Sequence, residues 1–172
     1  MHEEAEGGRR KSQTPEREPI SGDQGVVVLA RPPIAYLASI LAGFGLNSLW
    51  PVKVVPHAIE PVGGVLILLA VTSFALSVRE FRRARTPIRT RKPVTVVITT
   101  GPYHFSRNPI YLSFTLLQLG LGVWANSAWV VGALIPTLVL VSYGVIAREE
   151  RYMAQKFGDE YLRYRASVRR WI

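Results

Sequence analysis

Uncharged stretches divide this chain into blocks long enough to cross a bilayer. No Asp, Glu, Lys or Arg occurs in residues 32–52, 61–78 or 108–147. The first two blocks each match a transmembrane helix of about 20 residues. The third has 40 residues, which at a rise of ~1.5 Å would reach ~60 Å, twice a ~30 Å hydrocarbon core. It must fold back on itself. The turn falls at Trp124-Ala-Asn-Ser-Ala-Trp129, where two small polar residues lie between tryptophans of the kind that settle at membrane interfaces. The pattern therefore predicts an all-α polytopic membrane protein with four transmembrane helices, at about 33–50, 61–78, 109–123 and 128–147, the last two forming a tight helical hairpin. The competing arrangement, a buried hairpin in a soluble protein, leaves too little polar surface to cover four such blocks.

After the fourth block, Met153, Phe157, Tyr161, Tyr164, Val168 and Trp171 recur at steps of three and four through a charged segment, 148–172. That spacing predicts an interfacial C-terminal helix lying flat on the cytoplasmic face of the membrane, bent at Gly158. Residues 1–25 are charged and contain Pro and Gly without an apolar run, which predicts a disordered cytoplasmic tail and not a cleavable signal peptide. Residues 26–172 form one membrane domain.

Charge orients the spans. Of 21 Lys and Arg residues, five lie in 1–31, one (Lys53) in the first loop, eight in 79–107, none in the hairpin turn and seven from Arg148 onward. By the positive-inside rule both termini and the middle loop are cytoplasmic, as expected for a bacterial inner-membrane protein. The net charge of +9 is then accounted for by anionic lipid headgroups, without nucleic acid. The chain has no cysteine, and His2, His57 and His104 are too scattered for a metal cluster.

Two features at one mouth of the bundle carry candidate chemistry. Glu149-Glu150 closes the fourth block, and Gly101-Pro-Tyr-x-x-x-Arg107-Asn-Pro-x-Tyr111 opens the third. An acidic pair at a helix end is ordinarily solvated surface, but these two clusters should face each other. Together they offer carboxylates for a cation, an arginine for a carboxylate, and tyrosines to stack or hydrogen-bond. S-adenosylmethionine carries each complementary group, as do other zwitterions. The basic run 82–92 is equally explained as a lipid anchor.

The order Gly-Pro-Tyr-x-x-x-Arg-Asn-Pro-x-Tyr, helical hairpin, Glu-Glu, then Phe157-Gly-x-x-Tyr161-x-x-Tyr164 resembles the isoprenylcysteine carboxyl methyltransferase and phospholipid methyltransferase group of membrane enzymes, over about residues 79–172. The resemblance implies a cofactor, S-adenosylmethionine, held at the cytoplasmic interface, and a lipophilic acceptor entering from the bilayer. It implicates Tyr103, Arg107, Asn108, Tyr111, Glu149 and Glu150 in cofactor binding, with Arg107 and Glu150 catalytic. Three positions depart from the pattern. Asn108 replaces the His of the eukaryotic prenylcysteine enzymes, Ser113 a glycine, and Ser167 an arginine. The resemblance implies methyl transfer to a carboxylate, thiol or amine. An NADPH-dependent membrane reductase of related fold is an alternative, as is a scaffold or transporter without catalysis, and His104 is a candidate base with a more ordinary structural role.

The charge asymmetry makes a direct prediction about topology. A single cysteine introduced at position 126 of this cysteine-free chain should react in intact cells with a thiol reagent that cannot cross membranes, and one at position 91 should not. The reverse pattern would invert the orientation.

Overall fold

The computed structural model describes residues 32–54, 56–85 and 95–172. The proposed tail, the approach to the first helix and most of the basic run lie outside those residues. Among the described residues the architecture is all-helical. The helices are α1 (Pro32–Leu49), α2 (Glu60–Arg83), α3 (Pro109–Trp124), a continuous α4 (Ala128–Phe157) and a short α5 (Asp159–Ser167). Short 3-10 turns at His57–Ile59 and Gly101–His104 precede α2 and α3.

Three of these helices, α1, α2 and α4, are long and apolar enough to cross a membrane. Helix α3 is apolar but has only 16 residues, or ~24 Å at 1.5 Å per residue. Apolar side chains cover the outward faces, including Leu41, Leu68, Leu69 and Ile135, which is stable only where lipid replaces water.

Because lipid is as apolar as the helix surfaces, close approach and internal hydrogen bonds must hold the bundle together. A Cβ at Gly63 of α2 would lie 2.4 Å from the Trp124 backbone nitrogen and 2.6 Å from the Gly120 carbonyl oxygen. The α2 and α3 backbones therefore touch. At Gly43 the same construction meets the Val130 backbone at 2.7 Å, which seats α1 on α4. Polar links cross these contacts: Gln118 Nε2 donates to Ser39 Oγ at 2.8 Å and to the Val130 carbonyl at 3.1 Å, and the Tyr36 and Thr115 hydroxyls lie 2.8 Å apart.

The predicted turn between α3 and α4 is present at 125–127. Asn126 adopts φ +48°, a left-handed conformation that asparagine tolerates better than most residues. Ser127 caps α4 by accepting from the Val130 N–H, and the Ala128 N–H reaches the Val52 carbonyl at 2.8 Å.

Two expectations need correction at the C-terminal end. Helix α4 does not stop near Ala147 but continues to Phe157, so Glu149 and Glu150 lie within a helix and not at its end. The helix continues through a π-helical stretch, Leu140–Ile146, where the winding widens without breaking. The apolar stripe of the last segment also does not lie wholly on the membrane surface. Tyr161 and Tyr164 are buried against the protein, and Trp171 packs on the cluster formed by Tyr36, Leu134, Val141 and Ile146. The bend at Gly158 is present, with φ +51°.

Backbone contact at Gly63 sets the next prediction. Gly63→Ala should destabilise the protein by about 1–3 kcal/mol through overpacking. Gly64→Ala, where an added Cβ meets nothing within 4 Å, should be neutral or stabilising by up to about 1 kcal/mol. Unfolding in detergent followed by circular dichroism compares the two, and equal behaviour would show that the α2–α3 contact is not limiting.

Candidate functional site

The loop before α3 is pinned from both sides. Gly101 has φ +60° and stands against Glu80, whose Cγ would lie 3.0 Å from an added Cβ. Thr100 Oγ1 donates to Glu80 Oε2 at 2.6 Å, and Arg83 Nη1 donates to Glu80 Oε1 at 3.2 Å. The chain then makes its 3-10 turn, which buries the Tyr103 ring edge-on against Phe81 at a centroid distance of 5.7 Å. Pro109 supplies a pre-set φ at the first position of α3 and disfavours helix at Asn108, which is non-helical at φ −131° and ψ 52°.

The last residues of the chain form a strap across this loop. The Arg107 N–H donates to the Arg169 carbonyl at 3.0 Å. Asn108 Nδ2 and Ser106 Oγ both donate to the Arg170 carbonyl, at 3.0 and 3.4 Å. Tyr164 adds a bond from its hydroxyl to the Tyr103 carbonyl at 2.7 Å.

Within this frame, two contacts join the loop and α3 to α4. The Tyr111 hydroxyl donates to Glu149 Oε1 at 3.0 Å. Arg107 Nη2 lies 3.3 Å from Glu150 Oε1, and both side chains are about nine-tenths buried. Arg170 completes the second contact, donating from Nε to Glu150 Oε1 at 3.2 Å and from Nη2 to Oε2 at 2.6 Å. One buried carboxylate thus holds two guanidinium groups. The hydrogen bond to Glu150 pushes the Arg170 guanidinium further above its ordinary range, so it stays charged.

Arg107 is not fully satisfied by this arrangement. Its Nε and Nη1 are sealed from solvent and have no hydrogen-bond partner among the described residues. Tyr161 lies beside it. Burial first, and the Glu150 charge second, push the Tyr161 phenol upward while Arg107 opposes them. Burial likewise raises Tyr164. Both hydroxyls remain protonated through the physiological range.

The structure brings Arg107, Tyr111, Glu149 and Glu150 together at one mouth of the bundle. Tyr103 and Asn108 lie beside them in supporting positions, one packing and one tying down the strap. His104 is exposed and meets Phe105 edge-on, away from the buried carboxylate. Arg170 escaped sequence reasoning because it sits in a tail rich in arginine with no motif around it. One signal was present: the resemblance led to an arginine being expected at Ser167, and Arg170 supplies a guanidinium three positions later.

Residues 59–160 match the phospholipid methyltransferase family, a span of more than half the chain that includes the loop, Tyr111 and both glutamates. The chain belongs to that family. The match supports methyltransferase activity in a membrane setting and ends in the first turn of α5, before Arg170. A Haemophilus influenzae protein described only as uncharacterized is 47% identical over 65 residues, covering 37% of this chain and 100% of that protein. The cobalt-zinc-cadmium resistance protein CzcN of Cupriavidus metallidurans is 38% identical over 69 residues, which is 39% of this chain and 32% of CzcN. The chain thus covers about a third of CzcN's length. No solved structure matches.

The double pairing of Glu150 predicts an order of stabilities. Glu150→Ala leaves Arg107 buried without its counter-charge and should cost about 3–5 kcal/mol. Arg170→Ala leaves Glu150 one partner and should cost about 1–3 kcal/mol. Arg151→Ala, on the exposed face, should stay within about 0.5 kcal/mol. Denaturation midpoints of the three variants check the order.

Proposed function

We propose that this member of the phospholipid methyltransferase family transfers a methyl group from S-adenosylmethionine to a lipophilic or membrane-partitioned acceptor at the cytoplasmic interface. The observation that carries the reading is Arg107. It is a buried guanidinium whose Nη2 meets Glu150 and whose Nε and Nη1 lack partners among the described residues. A guanidinium with donors to spare suits an anion such as a carboxylate. The neighbouring Glu149 carboxylate, held by Tyr111, supplies negative charge for an ammonium or sulfonium. The residues fit the cofactor, which when bound supplies an electrophilic methyl group.

The protein's own contribution is positioning. Holding acceptor and methyl group in line is worth up to about 7–11 kcal/mol of barrier. The acceptor is lipophilic on this reading because α4 presents Val139, Leu140 and Tyr143 outward just before the glutamates. We assign four crossings, with α3 completing its short span through the polar turns at either end, and both termini in the cytoplasm of a bacterial inner membrane. Anionic headgroups neutralise the basic loops.

Calorimetry of the full chain in detergent tests the reading. S-adenosylmethionine and S-adenosylhomocysteine should bind, and NADPH should not. Arg107→Ala should weaken S-adenosylmethionine binding by about 1.5–3 kcal/mol, since Arg170 still satisfies Glu150 in that variant and preserves the fold. Arg151→Ala should leave binding unchanged. Equal effects at the two arginines would remove Arg107 from the site, and NADPH binding alone would favour a reductase. Glu149→Gln should weaken both adenosyl ligands if the carboxylate holds the ammonium, or S-adenosylmethionine alone if it balances the sulfonium.

A further inference from the structure

A buried carboxylate that the proposed chemistry does not use lies at the end of α2 that meets the loop before α3. Glu80 is 7% exposed and falls in the last turn of the helix, where the negative end of the helix dipole disfavours an anion. Burying a charge there is costly unless partners compensate, and among the described residues Glu80 has two. Arg83 Nη1 donates to its Oε1 at 3.2 Å, and Thr100 Oγ1 donates to its Oε2 at 2.6 Å. Arg83 is the last residue of α2, and Thr100 immediately precedes the 3-10 turn Gly101–His104. One carboxylate therefore clasps the point where the chain leaves α2 to the point where it returns, closing residues 84–99 into a loop. Bringing such ends together has an entropic cost, which the clasp offsets.

From the clasp to Arg107 the chain has little freedom. Gly101 at φ +60° is pressed against Glu80, whose Cγ and Cδ would lie 3.0 and 3.1 Å from an added Cβ. The Tyr103 N–H donates to the Thr100 carbonyl, and the Phe105 and Ser106 N–H groups both donate to the Pro102 carbonyl, each at 3.2 Å. Phe81, the residue after Glu80, meets the buried Tyr103 ring edge-on. Ser106 Oγ then accepts from the Asn108 N–H at 3.1 Å, bridging across Arg107. A displacement at Thr100 is therefore carried to Arg107 through consecutive hydrogen-bonded turns.

We propose that Glu80 is a positioning residue for Arg107: its carboxylate fixes the start of the loop, and the turns between Thr100 and Arg107 carry that position to the guanidinium. The inference rests on the reading of Arg107 as the group that binds the cofactor's carboxylate. Glu80 acts through the loop, because its described partners are Arg83 and Thr100 and not Arg107. Removing the carboxylate leaves no buried charge behind. The Arg83 side chain is 62% exposed and Thr100 is exposed, so each can turn to water and Glu80→Ala should fold.

Calorimetry of the full chain in detergent with S-adenosylhomocysteine tests the proposal. Glu80→Ala and Thr100→Val should each weaken binding about tenfold, the equivalent of one misplaced charge-assisted hydrogen bond, whereas Thr100→Ser, which keeps the hydroxyl, should bind as the parent does. A double-mutant cycle separates positioning from general damage. In an Arg107→Ala background, Glu80→Ala should weaken binding no further. A second tenfold loss there overturns the proposal, as does unchanged affinity of Glu80→Ala alone or a loss with Thr100→Ser equal to that with Thr100→Val. Buried Ser106 provides a readout that needs no ligand. In this cysteine-free chain, Ser106→Cys should be protected from an aqueous thiol reagent, and combining it with Glu80→Ala should raise its reactivity about tenfold or more, the same loss of loop fixation read without ligand. Protection that survives Glu80→Ala overturns the clasp whatever the ligand does. Raised reactivity alongside ligand binding that is absent or indifferent to Arg107→Ala upholds the clasp and places the failure in the reading of Arg107. If Glu80→Ala does not fold, Thr100→Val takes its place in every arm.

Discussion

The Glu150 carboxylate is the constraint on which this end of the molecule depends. It accepts Arg170 through two hydrogen bonds and lies 3.3 Å from Arg107, so it ties together the loop before α3, the last third of α4 and the segment after α5. A buried ion pair is weak evidence for stability, because desolvation consumes most of the Coulombic gain. Its consequence here is geometric. With Glu150 fixed by Arg170, Arg107 can keep one orientation, and the strap lies where Ser106 and Asn108 can bond to the Arg170 carbonyl.

The same constraint leaves Arg107 incompletely paired. A buried donor without a partner costs about 1–3 kcal/mol, and among the described residues two Arg107 nitrogens have none. That penalty exists before any ligand arrives, so an anion accepting from either nitrogen gains its relief in addition to its own attraction. The departure at Asn108 takes on a different meaning in this setting. Its amide donates to the strap, and the strap's Arg170 brings a second guanidinium onto Glu150.

Much of the architecture was legible because lipid selects on composition. The uncharged blocks marked α1, α2 and the α3–α4 pair, and Trp124-Ala-Asn-Ser-Ala-Trp129 marked the turn that Asn126 and Ser127 make. The facing of Arg107 and Tyr111 toward the glutamates followed from topology alone. Side-chain direction in the last segment did not. A stripe of aromatics at helical spacing meets lipid and protein equally well, and the inward turn of Tyr161 and Tyr164 follows from the bend at Gly158 and the Tyr103 carbonyl that Tyr164 finds. Arg170 was hidden for a similar reason. Nothing local distinguishes it from Arg163, Arg165 or Arg169, and only its tertiary position puts it on Glu150.

The continuity of α4 was illegible for a physical reason that also explains the site. Along this helix the buried positions run Val130, Leu134, Thr137 and Val141, in steps of three and four, as an α-helix demands. After Val141 both Val145 and Ile146 are buried, and Glu150 follows four residues after Ile146. This broadening coincides with the π-helical stretch Leu140–Ile146, where hydrogen bonds reach one residue further and the helix winds more slowly. Continued α-winding from Val141 through Val145 would have brought Arg148 and Tyr152 to the buried stripe. Arg148 and Tyr152 instead face outward. The π segment therefore shifts the inward face by one residue, exchanging a would-be buried arginine for the carboxylate that Arg107 and Arg170 require.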